Sequence, residues 1–112
     1  KGLDRLELPI RHGEGKFIPR DATVLDTLRS RGMIALRYCR ADGSAAQGQF
    51  PANPNGSPDG LTAVTTVDGR FTAMMPHPER VQRNVQLSWT NSDISTESPW
   101  LRMFRNARVW VG

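Results

Sequence analysis

The sequence predicts a small α/β fold with mixed strands, a hairpin and a C-terminal helix, and three observations lead there. The dipeptide Asp68-Gly69 stands between two β-favouring runs, "LTAVTTV" and "RFTAMM", a strong short-range hairpin pattern. After Ser98 and Pro99, in the N-cap and first helical positions, Trp100, Leu101, Phe104, Ala107 and Val111 recur at helical spacing. "MIALRYC", Met33 to Cys39, is rich in apolar and β-favouring residues and reads as a strand.

The remaining elements follow in chain order. "LPIRH", "GEG" and "KFIP" read as an extended segment, a glycine turn and a second extended segment. Asp21 then caps a helix through "ATVLDTLRSR", with Val24, Leu25 and Leu28 on its buried face and Gly32 at its stop. "RADGS" turns the chain after the strand. Residues Phe50 to Gly60, "FPANPNGSPDG", hold three prolines, two glycines and two asparagines, so regular structure gives way to a long, specifically shaped loop. On the final helix Arg102, Arg105 and Arg108 form a basic stripe, which reads as the solvated face of an amphipathic helix. No internal repeat is visible, and residues 1–112 read as one domain.

Composition narrows the function classes. A chain of 112 residues buries roughly 60–70% of its unfolded surface, enough for one core. Its hydrophobic fraction of 38% and charged fraction of 23% suit a globular protein, and no apolar run approaches a membrane span. The single cysteine, Cys39, rules out an internal disulfide, and with no secretory signal the cytosol is the expected compartment. The net charge of +4 comes mostly from arginine, 13 against two lysines, which raises a nucleic-acid hypothesis. Those arginines are scattered from Arg5 to Arg108, whereas a nucleic-acid footprint clusters on one face with aromatic residues interleaved. The chain opens on Lys1 rather than methionine and reads at once like the middle of a longer protein, so a fragment is expected.

The stretch "MMPHPERV", Met74 to Val81, carries the chemistry. Prolines at 76 and 78 push Met75 and His77 toward extended backbone, which predicts that His77 and Glu79 project to one side with a period of two. A carboxylate beside an imidazole holds its tautomer and stabilises its protonated form, as the general base of a nucleophile requires. Two parts of a three-part device are thus in view, and the third would be a nucleophile. A purely structural turn accounts for the same tripeptide.

The longer context resembles one family. "MMPHPERV", preceded by "PANPNGSPDGLTAVTTVDGR" and "RHGEGKF" and followed by the closing "SPWLRMFRNARVWVG", is similar to the C-terminal part of the class I glutamine amidotransferase domain of the phosphoribosylformylglycinamidine synthase family. The likeness runs from Pro9 to Gly112. It implies the flavodoxin-like class I amidotransferase fold, C-terminal portion only. It also implies a Cys–His–Glu triad with His77 as acid/base and Glu79 as its orienting carboxylate, and glutamine as substrate. The segment at His12, Gly13 and Glu14 would line the glutamine site, although a tight turn explains its glycines equally well. The resemblance further implies a cytosolic purine-biosynthesis ligase that passes ammonia to a separate synthase site using ATP and magnesium. None of that ATP-binding machinery is in these residues, and no cofactor is expected here.

Two departures qualify the resemblance. The family's nucleophile sits in a glycine-flanked strand-to-helix turn, whereas Cys39 falls inside "MIALRYC" with Arg40 and Asp42 after it and reads as an ordinary thiol. The nucleophile is therefore expected upstream of Lys1, on the remainder of the parent polypeptide, and the isolated chain is expected to be inactive. After the His–Glu pair, where aromatic and histidine residues would be expected, the chain has Gln82 and Thr90. Cys39, His12 and His77 are too dispersed to suggest a metal site. A non-catalytic interaction module derived from the same domain, or a basic nucleic-acid-binding domain, are the alternative functions.

Overall fold

The computed structural model describes residues 5–8, 10, 15–91, 93 and 95–112. The chain divides into two compact units, His12–Pro76 and a second one built from Lys1–Arg11 with His77–Gly112.

In His12–Pro76, helix α1 spans Ala22–Ser30 because the Asp21 carboxylate accepts the Val24 N–H at 3.0 Å, satisfying one orphan donor of the first turn. Gly32, at φ +64°, follows its last turn, as the sequence predicts. The face bearing Val24, Leu25 and Leu28 is only half-buried, because a groove of about 390 Å³ opens along Val24, Leu28 and Met33. The segments expected to be extended before α1 form no strand among the described residues. There Asn55 takes up the backbone instead, donating through Nδ2 to the Gly15 carbonyl at 3.1 Å.

Strand β1 is Ile34–Arg37, shorter than the predicted run through Cys39, since the Tyr38 N–H leaves the ladder and donates to the Gly60 carbonyl at 2.8 Å. Strands β2 (Leu61–Thr65) and β3 (Thr72–Met74) complete a three-stranded sheet in the order β1-β2-β3. Every pairing in it is antiparallel, with Ala63 opposite Met74 and Thr65 opposite Thr72, so the mixed arrangement expected from sequence is not what these strands make. The hairpin closes where the Thr66 N–H donates to the Phe71 carbonyl at 2.9 Å, leaving a loop of Val67 to Arg70 wider than two residues. Asp68 fixes that width: its Oδ1 accepts from the Thr66 hydroxyl at 2.6 Å and from the Arg70 N–H at 3.2 Å.

The loop before β2 is ordered by buried amides, as its composition suggests. Asn53 donates from Nδ2 to the Ser57 carbonyl at 2.9 Å and accepts the Ser57 N–H at 3.0 Å, so both ends of a buried side chain are satisfied. Pro58–Gly60 then forms a 3-10 turn whose Asp59 carboxylate receives Arg29 and Arg37, each at 3.0 Å. Gly60, at φ +65°, packs so closely that an added Cβ would meet the Tyr38 carbonyl oxygen at 3.1 Å. Ala46, Leu61 and Ala63 form the buried apolar centre.

In the second unit, Val81, Trp100 and Pro78 are buried among the described residues. The Trp100 indole N–H donates to the Glu7 carbonyl at 2.7 Å. Helix α2 spans Leu101–Val111 with Trp100 at its N-cap and no side-chain cap, two residues later than Ser98 and Pro99 predict; the Ser98 hydroxyl instead accepts the Trp100 N–H at 3.1 Å in the turn that precedes it. The apolar face expected along this helix is buried only at its start. Phe104 is 40% exposed and Val109, Trp110 and Val111 more so, because helical periodicity marks a shared face without supplying anything to cover it. Within the basic stripe, Arg105 pairs with Glu97. No helix among the described residues is long and apolar enough to cross a membrane.

Candidate active site

Pro78–Arg80 folds as a 3-10 turn with His77 at its N-cap, closed by the Arg80 N–H donating to the His77 carbonyl at 3.0 Å. The sequence predicted extended backbone throughout this stretch. His77 itself, at φ −113° and ψ 76°, stays outside the helical region as the residue before a proline should. Pro78 then starts the turn, since its fixed φ suits a first helical position and its missing N–H has no partner to lose there. The pair therefore meets across one tight turn rather than along a strand. His77 Nδ1 lies 2.8 Å from Glu79 Oε1.

The charge on the carboxylate constrains the tautomer of the ring. The Glu79 carboxyl is held below its ordinary range, first by its own backbone N–H and then by the His77 imidazole, with the positive charge of Arg80 assisting. An ionised carboxylate only accepts, so a neutral ring that keeps this bond carries its hydrogen on Nδ1. Nε2 then carries the free lone pair, the tautomer a general base needs. The side chains are 40% and 52% exposed for His77 and Glu79, so both are open to a reactant.

Support for the turn comes from residues that no motif singles out. Gln86 Oε1 accepts the backbone N–H groups of Gln82 and Arg83, both at 2.9 Å, and Gln82 Nε2 donates to the Glu79 carbonyl at 2.9 Å. The Ser98 hydroxyl donates to the Val81 carbonyl and the Ser98 N–H to the Gln82 carbonyl at 2.8 Å. A glutamine reaching back three residues is half of a capping box. Arg83, which has no side-chain acceptor, occupies the place where a serine or threonine would have made the pattern legible.

His12, Gly13 and Glu14 lie outside the described residues. The backbone just after them is tied to the loop sequence "NPNGS": beside the Asn55 bond to Gly15, Lys16 Nζ donates to the Asn55 carbonyl at 3.0 Å. Cys39 is exposed and joins Ala45 in an isolated bridge beyond the end of β1, outside the strand interior predicted for it. Its surroundings hold no strand-to-helix turn, since Ala41 and Asp42 lead into a hydrogen-bonded turn in which Asp42 Oδ1 accepts the Ser44 N–H at 2.8 Å. With this geometry in place, a family model described as the CobB/CobQ-like glutamine amidotransferase domain matches residues 1–111.

Proposed function

Because the chain belongs to the family of CobB/CobQ-like glutamine amidotransferase domains, for which glutamine is the substrate, we propose that His77 and Glu79 are the base and orienting carboxylate of its glutaminase centre. The observation that carries this is the 2.8 Å bond from Nδ1 to a carboxylate, which leaves Nε2 as the basic nitrogen. In this reading Nε2 takes the proton of a cysteine thiol, and the thiolate attacks the carboxamide carbon of glutamine. The C–N bond then breaks as the imidazolium returns that proton to the departing ammonia, and water hydrolyses the thioester to glutamate. Glu79 stabilises the imidazolium between those steps. Cys39 lacks the strand-to-helix turn that exposes a nucleophile, so the thiol comes from another part of the parent polypeptide, and residues 1–112 form the C-terminal portion of a glutaminase domain with the class I, flavodoxin-like fold. On its own the chain releases no ammonia.

We further propose that the parent is a cytosolic phosphoribosylformylglycinamidine synthase, in which the ammonia is consumed in converting formylglycinamide ribonucleotide to its amidine. The long likeness around "MMPHPERV", "PANPNGSPDG" and "SPWLRMFRNAR" supports it. ATP and magnesium would act at that enzyme's separate synthase site. The exposed apolar end of α2, with Val109 and Val111 facing solvent, supports the remainder of the parent polypeptide as partner.

The test is His77→Asn in the intact enzyme, measured with glutamine and with added ammonia. Glutamine-dependent synthesis should fall by about three orders of magnitude or more while ammonia-dependent synthesis persists, since members of a nucleophile–base unit act together. Glu79→Gln should follow the same pattern more mildly. Parallel loss of both rates would make the pair structural, and retention of both would end the triad reading.

A further inference from the structure

The 3-10 turn that presents His77 and Glu79 is three residues long, too short to hold its own shape. We propose that Gln86, acting through Gln82, is the positioning residue of the His–Glu pair. This rests on reading that pair as the glutaminase base and its carboxylate. Gln86 Oε1 gathers two successive N–H groups, those of Gln82 and Arg83, at 2.9 Å each. The Gln82 carbonyl meanwhile receives the Ser98 N–H, so both backbone groups of Gln82 are fixed. With its backbone immobilised, Gln82 aims Nε2 at the Glu79 carbonyl, 2.9 Å away. That bond sets the peptide plane leaving Glu79, and with it the direction in which the carboxylate leaves the turn toward Nδ1.

Both glutamines are exposed, so they fill no core volume, and removing their amides opens no cavity. What they supply is orientation. The consequence lies in the tautomer: if Glu79 swings away, nothing keeps the neutral imidazole's hydrogen on Nδ1, and a ring protonated at Nε2 cannot accept a proton there.

The experiment reads the ring directly. The imidazole nitrogens of His77 are followed by 15N NMR in the 112-residue chain, at a pH where the ring is neutral, in the original sequence and in Gln86→Met, Gln86→Glu and Gln82→Met. The original chain should show a protonated Nδ1. Gln86→Met, near in shape but without an acceptor, should shift the ring to a mixture of tautomers, whereas Gln86→Glu, which keeps an oxygen for the two N–H groups, should restore the Nδ1–H form. Gln82→Met should behave like Gln86→Met. An unchanged tautomer in the two methionine variants overturns the proposal, as does a Gln86→Glu variant as perturbed as Gln86→Met. Should Gln86→Met lose the amide dispersion of the β2–β3 hairpin, Gln82→Met decides, because it removes one surface bond and leaves the Gln86 acceptor in place. In the intact enzyme the methionine variants should lower the glutamine-dependent kcat by roughly 10- to 100-fold with KM unchanged, the signature of misplacement rather than lost binding. The ring readout stands even if the activity test of His77 fails, so the two readings fail separately.

Discussion

Glu79 is half-exposed and the hydrogen bonds it accepts favour its charged form, so the sign of its shift fixes how the site responds to acid. A carboxyl whose pKa is lower in the folded than in the unfolded chain contributes stability that is fully present above the unfolded value, about 4.3 for glutamate, and is lost as pH falls through the lower folded value. Asp42, Asp68 and Asp93 are depressed in the same direction, chiefly by the side chains of Ser44, Thr66 and Ser95. The hydrogen bond to His77 should therefore outlast the ordinary carboxylate range on acidification. Titrating the Glu79 carboxyl by 13C NMR checks this, and a midpoint at or above that of a model glutamate would contradict it. Part of this was legible in "PHPE". The spacing of histidine and glutamate predicts contact, and Pro78 keeps His77 out of the helical region as expected, but Pro78 also suits the first position of a turn, so the chain turns after His77 instead of running on extended. Gln86 is silent in the sequence because an isolated glutamine matches no motif, and Gln82 stands out only as a departure from the family.

At the scale of elements, local signals were legible and burial was not. Asp21 caps α1 as the sequence indicates, since caps depend on a few neighbouring residues, whereas α2 starts at Leu101 rather than at the Ser98-Pro99 pair. The width of the β2–β3 loop depended on where the Thr66 and Asp68 side chains bond, which the Asp-Gly pair alone does not state. Periodicity gave α2 one apolar face, yet only its beginning is covered. Two substitutions separate these ends. Trp100→Ala, at 6% exposure, should cost about 3–5 kcal/mol, as core aromatic truncations do, whereas Phe104→Ala, at 40%, should cost roughly 1–2 kcal/mol. Urea unfolding of both variants measures the gap, and equal midpoints would mean that the helix packs along its whole length.

Across the whole molecule, one unit is continuous in sequence while the other joins the chain's two ends, a feature no local pattern announces. The join includes the bond from the Trp100 indole to the Glu7 carbonyl, 93 residues apart. Closing a loop of that length costs about 4 kcal/mol in chain entropy beyond a constant term. Trp100→Phe keeps most of the ring and deletes the donor. It should lower the urea midpoint by an amount equivalent to roughly 0.5–1.5 kcal/mol without altering the m-value, and an unchanged midpoint would show the bond to be idle. The same join sets a timetable. A chain made from its N-terminus at roughly 5–20 residues per second presents every residue of His12–Pro76 to its neighbours before the last 36 exist. Glu7 must wait for Trp100, and Gln82 for Ser98. The turn that holds the histidine is thus among the last parts to gain its supports, so a nascent or prematurely ended chain displays His77 and Glu79 without the means to aim them.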